Sequence, residues 1–184
     1  MAEANLNPKF ESTQNSLDLM PLVYEELKRL ARRRLNFEKN GISINSTDLV
    51  HEAYLRMAKQ GDPGWSHRGQ FFVAASEAMR RILIDRARRR NRLKRGGDRL
   101  RIELDEVVLI AAEDHELGID LLDLEEALKT LESEHADAAE IIKLKFFTGL
   151  SLKQAAEASG IPLRTAHRNW RFGRARLFQL MNSS

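Results

Sequence analysis

Apolar residues in this 184-residue chain return every three or four positions along most of its length, rather than every second one. That spacing sets them on one face of an α-helix. In "SLDLMPLVYEELKRLARRRL" they fall at Leu19, Val23, Leu27, Leu30 and Ala31, with few β-branched residues to favour a strand. A second helix is expected from "NSTDLVHEAYLRMAKQ". It opens at a polar cluster and places Asp48 and Glu52 near the positive end of the helix dipole, but Ser46 is followed three residues on by Leu49, so it has no capping box. It should end near Gly61, before Pro63. A third stretch, "QFFVAASEAMRRILIDRARRRNRLKR", can pack one side through Met79, Ile82, Leu83 and either Arg86 or Ala87, and stops at Gly96 and Gly97. Helical spacing resumes at about Leu121 and continues through "LLDLEEALKTLESEHADAAEIIKLKFFTGL". With no hairpin signal and no tandem repeat, the expected fold class is all-α.

The stretch "GLSLKQAAEASGIPLRTAHRNWRFGRARL" has the clearest punctuation. Ser151 with Gln154 fits a capping box at the start of one short helix. Gly160 suits the left-handed turn that closes it, and Pro162 suits the first position of the next, where a missing N–H costs nothing. On a wheel of 100° per residue the second helix places Leu163, Ala166, Trp170, Gly173 and Leu177 on one stripe. Arg164, Thr165, Arg168 and Arg171 lie opposite. Two short helices about a tight turn, with Ala156 small enough for a close crossing and arginines on one side of the second, make a helix-turn-helix whose second helix can enter a major groove.

Charge sharpens this picture. The formal net charge is only +3, but Arg80 to Arg101 holds 11 Lys or Arg against 2 Asp or Glu, net +9. Ile102 to Glu140 has 14 acids against Lys129, net −13, and Lys143 to Arg176 has 8 bases against Glu157, net +7. Two separated basic blocks suit two contacts with a polyanion, since each base near a phosphate releases condensed counterions. Upstream of the first block, "GWSHRGQFF" mixes Trp65, Phe71 and Phe72 with Arg68, a composition that suits unpaired bases. The alternative for Phe71 and Phe72 is burial. "DLVHEAYLRM" is an amphipathic helix that suits either ordinary packing or a partner's docking face.

Composition excludes other classes. The chain lacks cysteine, so disulfides and cysteine zinc sites are ruled out. It has no apolar run of bilayer length and no signal pattern, and a cytoplasmic location is expected. His51, His67, His115, His135 and His167 are scattered, with no metalloprotease, P-loop or nucleotide fingerprint, so neither an enzyme nor a bound metal, cofactor or small-molecule substrate is expected. Carboxylate pairs such as Glu125 and Glu126 read as solvated.

In their order, these pieces resemble the sigma factors of bacterial RNA polymerase, in particular the extracytoplasmic-function (ECF) group with only the second and fourth conserved regions. "DLVHEAYLRM" is similar to the helix of the second region that binds core polymerase. "FFVAASEAMRRILIDRARRRNR" is similar to the helix that melts the promoter and recognises the minus-10 element; its "MRRILID" wording is most like a planctomycete-type subgroup. The stretch from Leu124 to Leu177 resembles the fourth region, whose helix-turn-helix reads the minus-35 element. His51, Arg81, Ala74 and Pro162 depart from the usual glutamine, asparagine, tryptophan and serine.

The resemblance implies two small helical domains: a region 2 domain over residues 15–97 and a region 4 domain over 121–184. A flexible N-terminus, 1–14, and an acidic linker, 98–120, complete the chain. It implies core RNA polymerase and promoter DNA as partners and admits an anti-sigma factor. Asp48, Leu49, Glu52, Tyr54 and Leu55 would face the polymerase; Arg80, Arg81, Arg88 and Arg89 the minus-10 region, with Trp65, Arg68 and Phe71 on the unpaired strand. Arg164, Thr165, His167, Arg168 and Arg171 would face the minus-35 element. The acidic linker would either shield the basic domains in the free protein or act as a solvated spacer. A dimeric helix-turn-helix regulator independent of core polymerase is the rival, although it leaves "DLVHEAYLRM" and the first basic helix without a role.

Overall fold

The computed structural model describes residues 23–31, 45–59, 65, 67–93, 101–102 and 119–182. The expectations for residues 1–14 and for nearly all of the acidic linker lie outside these residues. Helix α1 covers 23–31. It is followed by α2 (Ser46–Ala58), α3 (Arg68–Leu93), the two-residue strands β1 (Arg101–Ile102) and β2 (Ile119–Asp120), α4 (Leu121–Glu134) and α5 (Ala136–Lys143). A π-helical turn, Leu144–Thr148, then leads to α6 (Leu152–Ala158) and α7 (Leu163–Asn182). The fold is all-α, apart from the antiparallel rung that pairs Arg101 with Asp120 and Ile102 with Ile119.

The helices form where the apolar spacing places them. Val23, Leu27 and Ala31 of α1, Leu49, Val50, Ala53 and Met57 of α2, and Met79, Ile82, Leu83 and Ala87 of α3 are all buried. Each large side chain removed from water in this way stabilises the fold by about 1.5–3 kcal/mol. Helix α3 is the central element: α2 packs on it from one side, and α4, α5, the π-turn and α6 from the other. The buried side chains of both halves therefore join in one cluster.

Local details differ from the sequence expectations. Asn45, rather than the serine after it, caps α2: its Oδ1 accepts the Asp48 N–H at 2.8 Å. That helix ends at Ala58, ahead of Gly61. The long pattern from Leu121 breaks at His135, whose φ of −150° and ψ of 78° are not helical, so it gives two helices and a π-turn. Glu125 is not solvated. It is 6% exposed, because Arg80 on α3 lies against it, while its neighbour Glu126 is exposed as expected.

Candidate nucleic-acid interface

The C-terminal unit is built from local rules. Ser151 Oγ accepts the Gln154 N–H at 3.2 Å, and Gln154 Oε1 accepts the Ser151 N–H at 2.9 Å, which completes the capping box of α6. Gly160 turns the chain at φ 66°, a conformation that residues with a β-carbon resist. Pro162 lies one position earlier than expected, as the residue before the helix, and its carbonyl accepts the Ala166 N–H at 3.0 Å. Ala166, Trp170, Gly173 and Leu177 are buried along one stripe of α7. Leu163 departs from that stripe: in the first turn, before α7 reaches the body of the protein, it is 42% exposed.

Trp170 is a core residue. The Lys145 ammonium sits 5.0 Å from its ring centroid, and the Arg174 guanidinium 5.6 Å. Arg176 adds a clamp, donating to both Glu134 carboxylate oxygens at 2.8 and 2.7 Å and so tying α7 to the end of α4. With one stripe fixed, Arg164, His167, Arg168 and Arg171 stand exposed on the opposite side, and Thr165 is half-buried. An exposed guanidinium row on the second helix of a helix-turn-helix is chemically suited to guanine edges and phosphates.

Along α3 the candidates separate. Arg81, Arg88 and Arg89 are exposed. Arg80 is buried against Glu77 and Glu125, and Phe71 is fully buried. Trp65 is half-buried with its ring edge-on to Phe71, the centroids 5.3 Å apart. Arg68 pairs with Glu26 of α1 and lies over the Phe72 ring at 5.4 Å. Burial lowers its guanidinium from the ordinary value, opposed by the nearby Glu157. In this conformation Phe71, Arg68 and Arg80 therefore serve the interior.

The α2 set divides in a similar way. Leu49 is core, while Asp48 and Leu55 are exposed, Leu55 to 43%. Tyr54 is half-buried, edge-on to Tyr24 at 5.0 Å. Glu52 accepts from Arg56 at 2.8 Å and from Arg86 at 2.9 Å, linking α2 to α3. Sequence reasoning missed the Arg86 contact because Arg86 lies 34 residues away.

These ion pairs predict a pH dependence. At Glu52 and Glu77 burial acts to raise the carboxyl, but arginines hold it below its ordinary range: Arg86 and Arg56 for Glu52, and Arg80 and Arg81 with Lys143 for Glu77. Glu134 is lowered chiefly by its bond from Arg176. A carboxylate with a depressed folded value contributes its full stability above the ordinary range and loses it as pH falls through the folded value. The urea midpoint should therefore fall steadily between about pH 5 and pH 3. A flat midpoint over that interval would contradict these pairings.

Among the described residues no helix is long and apolar enough to cross a membrane, and no cluster of His, Asp and Glu is placed to hold a metal ion. What the fold and surface define is a helical DNA-binding protein with a helix-turn-helix and a second basic helix. A model of the family described as ECF sigma factor matches residues 12–183. The chain belongs to that family: it is a sigma factor, a non-enzymatic component of transcription initiation that works with core RNA polymerase on promoter DNA. Family membership sets aside the dimeric regulator. No curated protein sequence matches the chain significantly. Among solved structures, the chain is similar to the sigma factor RpoE of Bartonella quintana in complex with the anti-sigma factor NepR, at 24% identity over 90% of this chain and 96% of that one, with a TM-score of 0.38.

Proposed function

We propose that this chain gives RNA polymerase promoter specificity in the cytoplasm through three surfaces. The exposed face of α7, with Arg164, Thr165, His167, Arg168 and Arg171, reads the minus-35 element in the major groove. Arg81, Arg88 and Arg89 on α3 contact DNA at the minus-10 element, joined by Arg80, Arg68, Trp65 and Phe71 once the strands part and the packing around α3 loosens. Asp48, Glu52, Tyr54 and Leu55 on α2 dock on the polymerase, with Leu49 holding that face in shape from beneath. On this reading residues 15–97 form a region 2 domain and 121–184 a region 4 domain, joined by the acidic segment 98–120.

The observation that carries the proposal is the two-sidedness of α7, with Trp170 and Leu177 buried and four of the five named residues exposed. For the docking surface, Leu55 is the exposed apolar anchor. Leu55→Asp should weaken association with purified core polymerase about tenfold or more, as loss of an interface anchor does. It should leave the thermal transition in place. Unchanged core affinity, measured by titration of labelled chain, would remove α2 from the docking role.

A further inference from the structure

Among the described residues, the large apolar side chains left exposed are Leu55, Leu163, Phe172 and Phe178. Leu55 belongs to the docking face of α2, and Leu163 and Phe178 lie toward the two ends of α7. Phe172 is different: 40% exposed, it stands mid-way along α7 beside the arginines. At about 100° per residue, Arg171, Arg164, Arg168 and Phe172 follow one another around the helix within an arc of about 100°, with Phe172 about 160° from the buried Trp170. Arg168 lies one turn before Phe172 and only about 40° around the helix from it. One face therefore carries three exposed guanidinium groups and one phenyl ring.

The ring is braced. His135, at the break between α4 and α5, packs edge-on against it, with centroids 4.4 Å apart and planes at 71°. One turn further along α7, Arg176 donates to both carboxylate oxygens of Glu134 at 2.8 and 2.7 Å, which pins this part of the helix to the end of α4. A side chain held in this way gives up little rotamer freedom when it meets a ligand.

On the floor of a major groove the base edges present hydrogen-bond donors and acceptors, and a single apolar group, the C5-methyl of thymine. Arginine can pair with guanine there; a phenyl ring cannot, and its favourable contact on that surface is the methyl. A phenyl ring also neutralises no phosphate, so in the place of a cation it weakens a purely electrostatic grip. Its contribution on this face is selectivity.

We propose that Phe172 is a specificity-determining residue of α7, which reads the C5-methyl of a thymine in the minus-35 element. The inference rests on the reading of α7 as the helix that enters the major groove at that element. The four-residue step from Arg168 to Phe172 is about 6 Å along the helix, so at about 3.4 Å per pair the thymine lies about two base pairs from the guanine that Arg168 reads.

The test is selection of duplexes from a pool randomised across the upstream element, by holoenzyme assembled from core polymerase and the full-length chain. The parent should enrich guanine and, about two base pairs away, thymine. Phe172→Ala should keep the guanine and lose the thymine, and so should Phe172→Gln, which retains a long side chain suited to a helix. Phe172→Leu, still apolar, should keep both. Phe178→Ala removes a ring that is 37% exposed but stands about 9 Å further along α7, and it should select as the parent does. Uracil in place of the selected thymine removes only the methyl. It should weaken parent binding about fourfold, the effect of one buried methyl group, and leave Phe172→Ala and Phe172→Gln binding unchanged. An element without thymine in the parent, uracil tolerated by the parent, or a uracil penalty that survives in both polar and alanine variants would overturn the inference. Guanine preference kept by Arg168→Ala/Arg171→Ala would strike the reading of α7 itself. Guanine lost there, with thymine kept in Phe172→Ala, would overturn the role of Phe172 alone.

Discussion

Replacing Arg168 and Arg171 together by alanine should abolish transcription from a defined start while leaving the protein folded. Both side chains are exposed near the middle of α7, one turn apart, on the side opposite Trp170 and Gly173. Their removal therefore opens no cavity, and alanine is the best helix former. Each specific arginine contact with a guanine edge contributes about 1–3 kcal/mol of discrimination. Losing two lowers the preference for the promoter by roughly thirtyfold to about twenty-thousandfold, because every 1.4 kcal/mol is about a factor of ten. The measurement is promoter-dependent run-off transcription with core polymerase, alongside a thermal melt of each variant. An unaltered start-site profile would take both residues out of the reading role, and a collapsed melt would mean that they hold the fold.

Trp170→Ala should have the largest effect on stability. Trp170 is 7% exposed and sits under the Lys145 ammonium, itself buried to the same degree. Truncating a buried tryptophan costs about 3–5 kcal/mol through lost transfer energy and the cavity left behind. Here a buried lysine, whose Nζ donates to Leu150 O at 3.5 Å, also loses its aromatic partner. For a chain of this size each kcal/mol lowers the melting temperature by about 2–4 °C, so a fall of about 10 °C is expected by circular dichroism. Trp170→Phe should recover part of it. If alanine were tolerated with a shift of only a degree or two, Trp170 would not be the anchor that orients the arginine face.

The parts of the fold that local chemistry dictates were legible before any coordinates. Ser151, Gln154 and Gly160 act within a few residues of themselves, so capping box and left-handed turn follow directly from the sequence. The buried stripe of α7 was legible for the same reason, except Leu163, whose burial depends on where the first turn sits relative to the body and not on the wheel. The break at His135 has no proline or glycine to announce it. The rung between Arg101–Ile102 and Ile119–Asp120 is too short to show an alternating pattern.

Long-range pairing was the part the sequence did not disclose. Glu125 lies in an acid-rich stretch and reads as solvated; only the packing of α4 on α3 brings Arg80 against it. Exposure on a helical wheel likewise separates arginines from apolar residues but does not tell which arginine a second helix will cover. Arg88 and Arg89 remain on the surface while Arg80 goes inside. Phe71 and Phe72 resolve toward burial, with Trp65 packed at the edge of Phe71.

The most direct test is to map 5′ ends of transcripts made on genomic fragments by purified core polymerase, with and without this chain. The account predicts discrete starts that appear only when the chain is present, preceded at a constant distance by two shared sequence elements. An identical transcript profile with and without it, or starts with no shared upstream element, would contradict the account.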